Sequence, residues 1–173
     1  TDIDGNIYQT AQIGEQVWMA ENLKVTHYND GTEIPTGYSD SEWQDLITGA
    51  YAVYDDDPSN AEIYGYLYNG YSVETGNLAP EGWHVPTDDE IKQLEMYLGM
   101  SQEEADSTGY FRGTNEGSKL AGRADLWNEG GLVENSEFGT SGFTCLPGGY
   151  RINYPGNYTS MGTNGYFWSS TEG

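Results

Sequence analysis

Gly82-Trp83-His84-Val85-Pro86-Thr87-Asp88-Asp89-Glu90-Ile91-Lys92-Gln93-Leu94-Glu95-Met96-Tyr97-Leu98-Gly99 carries the clearest helix signal in the chain. Thr87 and Glu90 stand three residues apart, the spacing at which a hydroxyl and a carboxylate cap one another's backbone amides. Asp88 and Asp89 place negative charge at the positive end of the helix dipole. Ile91, Leu94 and Leu98, with Met96 and Tyr97 between them, supply an apolar stripe, and Gly99 stops it. Ser101 and Glu104 repeat the capping spacing and predict one further turn.

On either side the pattern changes to short strands and turns. Gly14-Glu15 separates residues 7–13 from Gln16–Met19 as the two arms of a meander, with Asp4-Gly5 a hairpin-turn dipeptide before them and Asn29-Asp30-Gly31 another turn after them. Ser41 is placed to cap a short helix through Trp43 and Leu46 that Gly49 ends. Residues 51–54 read as extended, broken by Asp55-Asp56-Asp57-Pro58. From 110 to 142 the pattern dissolves into Gly, Asn, Ser and Glu around single aromatics. That predicts a long ordered loop region with a short helix near Lys119-Leu120, and loops of this length inside a domain are usually functional. Residues 143–168 return to short strands around Pro147-Gly148-Gly149. The expectation is a single α+β domain over residues 1–173, with short antiparallel strands, one principal helix and long ordered loops.

The composition supports that reading. Fifteen Tyr, five Trp, four Phe and 24 Gly among 173 residues point to turns and short strands packed on rings. Six Lys plus Arg stand against 28 Asp plus Glu, for a net charge of −22. Such a field repels phosphate backbones and anionic lipid and favours divalent cations and basic partners. No stretch approaches the roughly 18 consecutive apolar residues of a membrane span. The start at Thr1, without an initiator Met, reads as a processed product or fragment whose export signal has been removed. Cys145 is the sole cysteine, so neither an internal disulfide nor a Cys-rich zinc site is available.

Several stretches together resemble the Fibrobacter succinogenes major paralogous domain family. In order they are Asp2-Ile3-Asp4-Gly5-Asn6-Ile7-Tyr8, Gln16-Val17-Trp18-Met19-Ala20-Glu21-Asn22-Leu23-Lys24, Tyr28-Asn29-Asp30-Gly31 and Tyr64-Gly65-Tyr66-Leu67-Tyr68-Asn69. Leu78-Ala79-Pro80-Glu81-Gly82-Trp83-His84-Val85-Pro86-Thr87, Ser141-Gly142-Phe143, Leu146-Pro147-Gly148-Gly149-Tyr150-Arg151 and Gly165-Tyr166-Phe167-Trp168-Ser169-Ser170-Thr171-Glu172 complete the set. The resemblance implies a secreted or surface lipoprotein of Bacteroidetes or Fibrobacteres and a C-type lectin-like fold, with a strand at 167–170 in a central sheet. It also implies two more strands after the Trp-Ser-Ser-Thr segment. A chain stopping at Gly173 would then leave an open sheet edge, and a partner for Cys145, to another chain.

Candidate sites follow from local chemistry. Asp55, Asp56, Asp57, Asn60 and Glu62 crowd hard oxygen ligands suited to Ca2+, although the same loop reads as solvated acidic surface. Asp2-Ile3-Asp4-Gly5-Asn6 lacks EF-hand spacing and reads as a turn with a polar rim. His84 is expected to be buried and hydrogen-bonded, His27 to lie at the surface, and Cys145 to be buried and inert. Without the cysteine pair of formylglycine-generating relatives of that fold, the expectation is a protein that is not an enzyme. Tyr154, Asn157, Tyr158, Asn164, Tyr166 and Trp168 have the chemistry of a recognition surface, rigid rings among adaptable amides. The leading expectation is an exported cell-surface module that binds glycan or protein with the assistance of calcium. The alternative is a structural domain of a surface layer or filament, self-associating or completed by a partner chain.

Overall fold

A computed structural model describes residues 1–109 and 112–171. Tyr110, at the head of the loop-rich stretch, and Glu172 and Gly173, at the end of the last family-like motif, lie outside the described residues. The fold is α+β, built from short antiparallel strand pairs and several helices. Strands β1 (Thr10–Ile13) and β2 (Gln16–Met19) pair with Ile13 opposite Gln16, so Gly14-Glu15 is the turn its sequence requires. Strand β3 (Tyr51–Ala52) pairs with β4 (Leu67–Tyr68), and β5 (Gly148–Arg151) with β6 (Tyr158–Met161). Gly149 holds φ +62° where a Cβ would collide with the Thr159 carbonyl and the Met161 amide, so only glycine lets β6 approach this closely.

The helices are α1 (Asp40–Gln44), α2 (Pro58–Tyr64), α3 (Gly70–Glu74), α4 (Asp88–Tyr97), α5 (Gln102–Ala105), α6 (Glu116–Leu120) and α7 (Gly131–Glu134). In α4 both halves of the Thr87–Glu90 box form, and α5 repeats the arrangement with Ser101 and Glu104. No helix among the described residues is long and apolar enough to cross a membrane.

Three small cores result. Ile13 packs with Leu94 and Leu98, seating the β1–β2 hairpin on α4. Val25, Tyr28 and Ile34 gather with Val73 and Leu78. Trp43, Ala50 and Ala52 form the third, with Leu46 and Tyr158 at its edge. Each fully buried aliphatic side chain contributes roughly 1.5–3 kcal/mol.

Four expectations change. Ser39, not Ser41, caps α1, because Ser39 and Glu42 satisfy the box spacing reciprocally; the helix then ends at Gln44, short of Leu46. The Asp4-Gly5 turn joins no strand pair; its backbone closes on the Asp2 carbonyl, and the Asp2 carboxylate takes the Asn6 amide and the Tyr8 hydroxyl. Residues 167–170 are not a strand in a central sheet, since the described strands form three separate two-stranded sheets. That segment is held by single bonds, Trp168 Nε1 to the Tyr68 carbonyl at 2.8 Å and the Ser170 amide to the Pro86 carbonyl at 2.8 Å. The loop-rich stretch holds more helix than expected: α6, a 3-10 turn at Ala124–Leu126 and α7.

Candidate functional site

The approach to α4 is extended, so its side chains alternate. Trp83 and Val85 turn inward while His84 points out. His84 is therefore 67% exposed, not buried, and its Nε2 lies 2.8 Å from the Glu90 carboxylate. The Thr87 amide donates to the same carboxylate and, with His84 and the Thr87 hydroxyl, holds Glu90 below the usual carboxylate range. Gln16 donates to the Glu90 carbonyl at 3.1 Å, locking the hairpin to the helix.

This joint forms one wall of an open, mostly apolar cleft of about 840 Å³. Six Trp and Phe rings dominate its lining, Trp18, Trp83, Trp127, Phe143, Phe167 and Trp168, with Tyr68 beside them. Trp18 and Phe143 meet edge-on at 5.6 Å between centroids, and Phe143 and Phe167 at 5.4 Å. Phe167 and Trp168 are each 51% exposed, large apolar rings open to solvent. The indole N–H groups are largely committed inward: Trp18 to Gln16, Trp127 to the Gly122 carbonyl and Trp168 to the Tyr68 carbonyl.

Among the described residues the lining carries the carboxylates Glu21, Glu90 and Glu95 and the imidazole of His84, with no Lys or Arg. Burial raises Glu95 above the usual carboxylate range, although Arg112 stands against it at 2.8 Å. Its buried Oε2 makes that ion contact without an aligned hydrogen bond. Cys145 also lines the cleft, and burial pushes its thiol up to about 12, leaving it protonated at neutral pH and a poor nucleophile.

The expected recognition tract divides. Asn164 and Trp168 lie on the cleft. Tyr166 packs against Tyr150 at 4.6 Å, Tyr154 stands 79% exposed, and Asn157 bonds the Tyr158 carbonyl. Tyr158 is structural: its ring lies on Arg151 at 4.7 Å and its hydroxyl donates to Asp56 at 2.6 Å. Burial, then that bond, push the hydroxyl upward. Trp18, Trp83, Trp127, Phe143 and Phe167 were missed because they come from five separate segments. Each sits in a glycine- or turn-flanked stretch, and nothing in their spacing says that they converge.

The acidic loop is similarly occupied with local work. Asp57 caps α2 through the Ser59 amide, Asp56 takes the Tyr158 hydroxyl, and Asn60 donates to the Tyr54 carbonyl. Asp55 belongs to a 3-10 turn, and Glu62 lies exposed on α2. Among the described residues no three His, Cys, Asp or Glu side chains are grouped to hold a metal ion.

A family model described as the Fibrobacter succinogenes major domain matches residues 11–173. No curated protein and no solved structure matches the chain.

Proposed function

We propose, for a chain that belongs to the Fibrobacter succinogenes major domain family, that it is an exported cell-surface binding module whose recognition site is the aromatic cleft. The observation that carries the reading is the convergence of six rings on one open cleft, with Phe167 and Trp168 half exposed. Exposed rings of this kind supply most of the affinity in binding sites because they cover much area with little entropy loss. A protonated Cys145 and an engaged Glu90 offer no poised nucleophile or free base, which favours binding over catalysis. A C-type lectin-like architecture belongs to the same proposal, supported by the one long capped helix and the loops that build most of the cleft.

Titration of glycan and peptide panels, read by intrinsic Trp fluorescence, tests the site. Trp83→Ala and Phe167→Ala are expected to weaken any hit by about tenfold or more, whereas Tyr154→Ala leaves it unchanged. Far-UV circular dichroism controls for folding. A hit lost with Tyr154→Ala and kept in both cleft variants would move the site to the exposed tyrosine loop.

A further inference from the structure

We infer that the cleft's ligand is a cationic polypeptide segment, Lys- or Arg-containing with apolar side chains as anchors, and not a glycan. The inference rests on the cleft being the binding site.

Two independent features of the lining select this chemistry. The first is hydrogen bonding. A sugar presents hydroxyls along every edge, and each must find a partner when it leaves water. Most of the cleft's polar side chains are already engaged within the protein. Trp18, Trp127 and Trp168 donate within the protein, Asn22 donates to the Tyr64 carbonyl, Gln16 to the Glu90 carbonyl, and Glu90 holds Thr87 and His84. What remains is mostly ring face and aliphatic surface, which suits apolar side chains and cations stacked on rings.

The second feature is charge. Glu21 and Glu90 stand on the lining, Glu90 beside His84, and no Lys or Arg is among the described lining residues. Five of the chain's six Lys and Arg residues are already tied to carboxylates: Lys92 to Asp88 and Asp106, Arg112 to the lining's Glu95, Lys119 to Glu137, Arg123 to Asp125 and Arg151 to Asp40. With a net charge of −22 behind it, the cleft draws a cationic segment in and turns an acidic one away. The same charge disfavours a second copy of this chain as the occupant, since both surfaces would carry it.

Three 12-residue peptides of identical apolar content decide the matter, their intervening positions filled with Lys and Arg, with Ser and Gln, or with Glu. A neutral oligosaccharide, cellohexaose, is the fourth probe. Binding of each to the intact domain is measured by titration calorimetry at about 50 and 500 mM NaCl, where screening lengths differ severalfold. The cationic peptide is expected to bind about tenfold or more tighter than the neutral one and to weaken with salt. Trp83→Ala should then cost it about tenfold, and Glu21→Gln should narrow its advantage. Equal affinity for the cationic and neutral peptides overturns the charge assignment while the cleft stands. Cellohexaose bound in a Trp83-dependent way, with no peptide bound, overturns the polypeptide assignment and keeps the cleft. Cationic binding indifferent to both Trp83→Ala and Phe167→Ala overturns the inference and the cleft reading together. Absence of binding by all four probes at millimolar concentration overturns the inference.

Discussion

Arg151 shows how one residue holds distant segments together. Its side chain is 1% exposed, sandwiched between the rings of Trp43 at 4.6 Å and Tyr158 at 4.7 Å. It donates to the Gly156 carbonyl at 2.7 Å, the Tyr38 carbonyl at 2.9 Å and Asp40 at 3.1 Å. Asp40 is largely exposed, so little stability comes from the ion pair itself. The cost of losing Arg151 is instead a buried carbonyl at Gly156 and a partly buried one at Tyr38 without their donor, and an emptied ring sandwich. Arg151→Met is expected to cost about 3 kcal/mol, and Arg151→Lys a substantial fraction of that, because an ammonium cannot keep the planar fork. Urea unfolding checks this, and a Lys variant as stable as the wild type would refute the sandwich account. Nothing in the sequence marks Arg151 for this role. Its partners lie more than a hundred residues away at Tyr38 and Asp40. His84 teaches the converse: its neighbours Trp83 and Val85 suggest burial, but alternation in an extended segment sends the middle residue outward.

At the scale of elements, local chemistry was the best guide. The Thr87–Glu90 box, the Ser101–Glu104 box and the Gly14-Glu15 turn all depend on neighbours within four residues, and all three form as their sequences require. Helix α2 was readable on the same grounds, since Asp57 before Pro58 is a cap followed by a first-turn proline, but the acidic run drew attention to metal binding instead. Thr87→Ala is expected to lower stability by about 1 kcal/mol. Glu90 adds a pH signature whose sign is fixed. Its pKa is lower in the fold than in the unfolded chain, so its contribution is present in full above roughly pH 4.5 and is lost as pH falls through the folded value. The stability gap between the wild type and Glu90→Gln should therefore shrink from pH 7 to pH 3 in paired urea titrations. A gap that widens toward acid would contradict the capping geometry.

Over the whole molecule, charge and small cores govern behaviour. With a net charge of −22 and three separate clusters of buried residues, self-repulsion acts on a modestly stabilised fold. Raising NaCl from about 10 to 150 mM is expected to raise Tm by a few degrees through screening. Calcium chloride at matched ionic strength should do no more, given how Asp56, Asp57 and Asn60 are engaged. An extra rise of several degrees would show that the 55–62 loop re-forms around the ion. The sequence by itself determined the α+β class, the charge, the family, the capped helix α4 and the first hairpin, because each follows from composition or from interactions within a few residues. Only the tertiary structure decided where the aromatic rings meet. Trp18, Trp83, Phe143 and Phe167 stand on different elements and loops, and their convergence depends on how the hairpin seats on α4 and how the segment at 163–171 returns across Tyr68 and Pro86. Long-range packing of that kind leaves no periodic trace in the chain, so the cleft could be seen only once the fold had assembled it.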